Sequence, residues 1–328
     1  MRLVLPGLAV LALALSGCGG GDNDYLDAEP GSEEPGSEEP GGEAVSAVAA
    51  VYPLAWVAQQ VAPEADVEFL GSGSAEAHDL ELTPGQRQAI EGSDVVLYLG
   101  DIGYQAQVEE TTAAAGGEIV NTSAIAGDDR IPATSADPHA HEDEDNAHAH
   151  AEAVFDPHVW FDPWIMAEVA MQTGEAFAAA DPDKAGTYRA NARGVGETLL
   201  GTRDDIEELL DQDCRFDEAI VSHAAYGYLL EPYGHTQHAV DSLASGEGGA
   251  SGGELAKLVT EIEENGFESV LAEPVDGRAD TEAVARETGT EVLDIYPLDV
   301  VVEEHEAQGY PALLRAQAET FATALGCN

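Results

Sequence analysis

The sequence predicts an α/β fold of two lobes, each a parallel β-sheet flanked by helices, bridged by one long helix. Three observations carry this. From residue 45 short apolar runs alternate with helical stretches, as in a parallel sheet covered on both faces. The alternation occurs twice, once on each side of the middle of the chain. Between the two sets lies a stretch, 181–212, whose apolar residues recur at helical spacing.

The chain opens on "MRLVLPGLAVLALALSGC", one basic residue followed by a short apolar core. That core is too short for a membrane span and fits a secretory signal over 1–18. Its end, Leu15-Ser16-Gly17-Cys18, resembles a lipoprotein processing box, in which Cys18 is lipidated after cleavage. Residues 19–44 repeat Pro-Gly-Ser-Glu-Glu and hold almost no hydrophobes, so they read as a disordered acidic tether.

The first lobe is expected over 45–180. Its strands are "AVSAVAAV" (44–51), "DVEFL" (66–70), "DVVLYLG" (94–100) and "EIVNTS" (118–123). Pro53 opens a helix to about Val61, and Thr83-Pro84 reads as an N-cap with proline at the first helical position. A His- and acid-rich loop, 137–152, interrupts. After Pro163 the spacing of Ile165, Val169, Thr173 and Phe177 predicts a helix. A second helix runs from Asp181-Pro182 to about Gln212, with Tyr188, Ala192, Val195, Leu199, Ile206 and Leu210 inward. Glycines at 186, 194, 196 and 201 work against it, each at about 1 kcal/mol relative to alanine. The second lobe, 213–328, has strands at 218–223, 235–240, 267–274 and 290–296. Its helices are expected at 224–234, 254–264, 280–288 and 309–325.

Charge narrows the partners. The 328 residues hold 12 basic and 64 acidic side chains, a formal −52. Such a surface repels the phosphates of nucleic acid and anionic lipid headgroups. It is hydrated and self-repelling, tolerable where salt screens it, and it draws cations. Two cysteines, Cys214 and Cys327, remain beyond Cys18. A disulfide is permitted outside the cytoplasm, and the sequence leaves open whether they meet.

Three histidines hold comparable places. His78 follows the second strand of the first lobe. His158 follows that lobe's last strand and the acidic loop, and His223 ends the first strand of the second lobe. Ligands of open parallel sheets gather at the carboxyl ends of the strands. Three imidazoles there, plus a carboxylate or water, suit a tetrahedral zinc ion. Asp79 and Asp156 stand where they can hold a ligand's second ring nitrogen. His139, His141, His148 and His150, among Asp and Glu, make either a low-affinity chelator suited to capturing or sensing zinc near the main site or a solvated insertion of acidic composition.

The blocks "AEAHDLELTP", "DPHVWFDP", "SHAAYGYLLEPYG" and "AEPV…VARETGTEVLDIYPL" resemble, in order, those of the substrate-binding lipoproteins of ABC-type zinc and manganese importers. The resemblance covers roughly residues 45–328. It implies a rigid bridging helix, a metal held between lobes, delivery to a membrane permease, and no catalysis. By position His78, His158 and His223 match the family's ligand histidines. A histidine at the third place, and a His-rich loop before the second, lean toward Zn²⁺ over Mn²⁺. The family's fourth ligand, an aspartate, aligns with Tyr296, a poor zinc ligand. Asp299, Asp294, Glu273 or water is left to complete the shell, with Asp299 favoured. The protein is expected to be a lipid-anchored monomer on the outer face of the cytoplasmic membrane. Zinc hydrolase is the enzyme alternative, but no His-Glu-x-x-His helix is present. A surface adhesin with a structural metal is the third class.

Overall fold

The architecture follows from two sets of four-residue strands, the two central strands of each set mostly buried. The computed structural model describes residues 44–71, 77–129, 131, 155–240, 252–274, 278–301 and 303–327. The signal, the tether with Cys18, and the His-rich loop lie outside them.

In the first sheet β1 (Ser46–Ala49) lies between β2 (Asp66–Phe69) and β3 (Val95–Tyr98), with β4 (Glu118–Asn121) beyond β3. All pairings are parallel, in the order β2-β1-β3-β4. The second sheet repeats it: β5 (Glu218–Val221), β6 (Thr236–Ala239), β7 (Ser269–Ala272) and β8 (Glu291–Asp294) run β6-β5-β7-β8. Each order reverses direction between its first strand and the next but one. That is where open α/β sheets form a crevice at the strands' carboxyl ends.

In the first lobe, helices α1 (Tyr52–Val61), α2 (Pro84–Gly92), α3 (Ala106–Thr112) and α4 (Thr122–Ala126) connect and flank the strands. Thr83 caps α2 in a full capping box with Gln86, behind Pro84, as that dipeptide predicts. Two helices, α3 and α4, escape the sequence reading. They are short, and tertiary packing supplies most of a short helix's stability.

Helix α5 (Pro163–Ala180) lies against α6 (Ala185–Leu210). The bridge is shorter than expected. A 3-10 turn, Pro182–Lys184, takes up its start, and α6 itself has 26 residues, about 39 Å long. All six residues predicted to face inward are buried. The glycines sort into two kinds. A Cβ at Gly186, Gly194 or Gly201 would meet nothing within 4 Å. On α5, a Cβ at Gly174 would lie 2.5 Å from the Ala192 Cβ, so this glycine lets the two helices approach. Gly194→Ala and Gly201→Ala should each stabilise by up to about 1 kcal/mol. Gly174→Ala should cost about 1–3 kcal/mol by overpacking. Urea unfolding midpoints check both signs.

In the second lobe, α7 (Gly227–Leu230) is a single turn, where the sequence reading expects a helix over 224–234. The Tyr226 N–H donates to the Gln237 side chain instead of starting a helix earlier. A 3-10 turn at Glu231–Tyr233 follows, holding Pro232, and Gly234 ends it in the left-handed region at φ 80°. Helices α8 (Gly252–Asn265), α9 (Arg278–Thr288), α10 (Glu303–Glu306) and α11 (Tyr310–Leu325) complete the described elements.

One apolar cluster runs through both lobes. It joins Val51, Leu54 and Val57 of the first to Val221, Leu271, Leu314 and Phe321 of the second through α5 and α6. Smaller clusters fill the outer sheet faces, Val48 to Ile90 under α2 and Ile220 to Ile262 under α8. The lobes thus share an interior, which resists large hinge motion because packed cores deform little. Cys214 and Cys327 form a disulfide, tying the segment after α6 to the segment after α11.

Candidate metal centre

The "DPHVWFDP" block is held from both lobes. The Asp156 N–H donates to the Ile131 carbonyl at 2.9 Å, and the Tyr228 hydroxyl to the Asp156 carbonyl at 3.2 Å. His158 opens a 3-10 turn, Val159–Phe161, whose three residues are buried. The Trp160 indole N–H donates to the Pro297 carbonyl at 2.7 Å, and the Tyr310 hydroxyl donates to the Trp160 carbonyl. Burial, then the Asp162 charge, push the Tyr310 phenol well above its usual range, so it remains a donor. Phe161 packs on Tyr226 with ring centroids 5.0 Å apart. His158 is thereby fixed at the junction and only 6% exposed.

Its imidazole is oriented as a ligand would be. Asp156 Oδ1 lies 2.7 Å from His158 Nδ1 and accepts the His158 backbone N–H at 2.9 Å. With Nδ1–H given to the carboxylate, Nε2 keeps its lone pair. The other oxygen, Asp156 Oδ2, is buried without a hydrogen-bond partner.

His223 repeats the device from the second lobe, just beyond β5. Its Nδ1 lies 3.2 Å from Oε1 of Glu273, at the carboxyl end of β7. Glu273 is 3% exposed; it also accepts from the Tyr226 hydroxyl, and its N–H donates to the Ser222 hydroxyl. The His158 and His223 rings meet edge to face with centroids 5.1 Å apart.

His78 stands on a 3-10 turn, Ala77–Asp79, beyond β2, and is exposed. The side chain of Asp79 lies outside the described set. Tyr104 links His78 to the pair: its ring is 6.2 Å from that of His78, 5.9 Å from His158 and 6.0 Å from Trp160. Asp299, 4% exposed, braces this side. Its Oδ2 accepts from the Ala77 N–H at 2.9 Å and the Tyr104 hydroxyl at 3.3 Å, and its Oδ1 from the Val300 N–H at 2.8 Å. Leu298 just before it holds φ at +64°, a costly backbone for a bulky residue that aims the following segment.

Asp294 is engaged elsewhere, 2.7 Å from the Arg278 guanidinium and half exposed. Tyr296 packs on His305 at 4.9 Å. Among the described residues, the groups whose ligand atoms fall within 4.8 Å of one another are Cys214–His235–Cys327 and Glu218–His238–Glu261. The three histidines are not such a group: His158 and His223 are in contact, and His78 stands across Tyr104. Tyr104 and Trp160 went unread in the sequence, since neither is a metal ligand. Only their position after β3 and beside His158 marks them.

Residues 47–324 match the family model described as zinc-uptake complex component A, periplasmic. The "High-affinity zinc uptake system protein ZnuA" of Bacillus subtilis is 27% identical over 285 residues, covering 85% of this chain and 86% of the relative. The "Zinc-binding protein AdcA" of Streptococcus pyogenes serotype M6 is 24% identical over 268 residues, 79% of this chain and 51% of the relative. The chain thus spans about half the length of the streptococcal relatives it matches. A crystal structure of ZnuA shares the fold, with a TM-score of 0.70 at 21% identity over 86% of this chain and 99% of that one. This chain belongs to the family described as zinc-uptake complex component A, periplasmic.

Proposed function

We propose that the protein binds Zn²⁺ outside the cytoplasm, in the cleft between its lobes, and delivers it to an ABC-type permease. The observation that carries this is the His158–His223 pair, each ring held through Nδ1 by a buried carboxylate and the two in contact. We assign His78, His158 and His223 as nitrogen ligands. Two fixed imidazoles from opposite lobes form the base of the site, and exposed His78 is the ligand an arriving ion meets. Asp299 supplies the fourth donor, because its carboxylate bonds to Tyr104, which packs on both His78 and His158. Asp156 and Glu273 act as orienting carboxylates. Asp294 is left to its ion pair with Arg278.

The nitrogen-rich set favours Zn²⁺ over Mn²⁺, which prefers oxygen ligands. The acidic surface attracts the ion over distance and suits a saline medium. His139, His141, His148 and His150 serve as a weak collecting segment, and Cys18 as the lipid anchor of a monomer. No helix among the described residues is long and apolar enough to cross a membrane. The reading is of carriage without catalysis, in keeping with the zinc-uptake family the chain belongs to.

Imidazoles must shed a proton to take a metal, so zinc affinity should fall as pH drops below about 6, near the reference histidine value. Competition titration with a chromogenic chelator at pH 7.5 and pH 5.5 checks this. Equal affinity at the two values would rule out histidine ligation.

A further inference from the structure

We propose a second divalent-metal site, made by Glu218, His238 and Glu261 on the outer face of the second lobe's sheet. This proposal is independent of the interlobe reading. The three residues come from three elements brought together by packing. His238 of β6 pairs in register with Ile220 of β5, and Glu218 lies two residues before Ile220, so both side chains share its face. That face is covered by α8, whose Leu258 and Ile262 pack with Ile220. Glu261, beside Ile262, reaches the sheet edge where β6 is the outermost strand. The cluster sits on the face away from the core that the lobes share, whereas His223 and Glu273 lie beyond the carboxyl ends of β5 and β7.

The geometry is that of a ligand set. One donor atom from each residue falls within 4.8 Å of the other two. His238 Nδ1 is 3.3 Å from Glu261 Oε1 and 4.0 Å from Glu218 Oε1. The side chains are 16% exposed for His238 and 33% for each glutamate, so all are partly withdrawn from water while an ion can still enter. Burial pushes the Glu218 carboxyl above its usual range, and the Glu261 charge adds to this against the pull of His238. A neutral imidazole and two carboxylates carry a charge of −2, which a divalent ion cancels. One nitrogen, two oxygens and a water match tetrahedral zinc. The ion would bind His238 Nδ1, and α8 would be clamped to the edge strand. The competing account is an ion pair alone, with a protonated His238 between the two glutamates.

The test is Zn²⁺ titration of the full chain with ¹⁵N-labelled histidine, the His238 ring signals being assigned by loss in His238→Asn. Those signals should shift to saturation, with Nδ1 taking the shift of a coordinated nitrogen. Glu218→Gln and Glu261→Gln, isosteric changes at partly exposed positions, should each raise the midpoint by about tenfold or more. The proposal is overturned if the His238 ring signals stay unmoved up to millimolar zinc. It is equally overturned if neither glutamine variant moves the midpoint.

Discussion

His158→Ala should abolish tight zinc binding, lowering affinity by well over 100-fold. Loss of a carboxylate that merely orients a ligand already costs about 10–100-fold in characterised sites. His158 is the most enclosed of the three candidate ligands and is set by both lobes. The graded comparison is the stronger test. Asp156→Asn and Glu273→Gln remove the acceptors at His158 Nδ1 and His223 Nδ1 without removing a ligand. Each should cost about 10–100-fold, placing it between wild type and the alanine variants. Direct competition titration gives these ratios. A thermodynamic readout accompanies it. Zinc at 1,000 times its dissociation constant stabilises a folded protein by about 4 kcal/mol, and His158→Ala should lose that increment. Stability without metal must be measured alongside, because deleting the imidazole strips Asp156 Oδ1 of its nearest side-chain partner while Oδ2 already has none. Unchanged affinity in His158→Ala would remove the basis of the site.

Breaking the Cys214–Cys327 bond should destabilise the protein by about 2–5 kcal/mol. The bond joins residues 113 apart in sequence and so encloses almost the whole second lobe. Freed, the unfolded chain regains the entropy of that large loop, which accounts for the size of the effect. The native state around the bond has its own reinforcement. The Arg215 and Phe216 N–H groups donate to the Gly326 and Leu325 carbonyls, and buried His235 lies 2.9 Å from the Leu210 carbonyl through Nε2. The folded structure of the Cys214→Ser/Cys327→Ser variant should therefore persist, with the loss read as a lower urea midpoint. Zinc binding should survive, because every residue assigned to the site is held by contacts other than the disulfide. A midpoint equal to that of wild type would show that the bond contributes nothing.

Much of the lobe plan was legible because it depends on local spacing. Apolar runs of strand length, the Thr83-Pro84 cap and the inward row from Tyr188 to Leu210 are properties of neighbouring residues, and each is found in its expected element. The helix reading failed where local signals compete. Residues 224–234 looked helical by composition, yet Pro232, Gly234 and the Tyr226–Gln237 bond leave one turn. The glycines of α6 looked like breakers, but packing along Leu199 and Ile206 offsets their intrinsic cost.

By itself, the sequence determined the two α/β sets, the long helix between them, and the histidine-bearing blocks that carry the family likeness. The tertiary structure decided which distant groups meet: Ala77 with Asp299, Trp160 with Pro297, His223 with Glu273, and Cys214 with Cys327. It also decided that Tyr104 stands among the histidines and that Leu298 takes a left-handed backbone. The reason is physical. Periodicity records only which face of an element is apolar. Contacts across 50 to 222 residues follow from how those faces close on one another, a property of the packed whole.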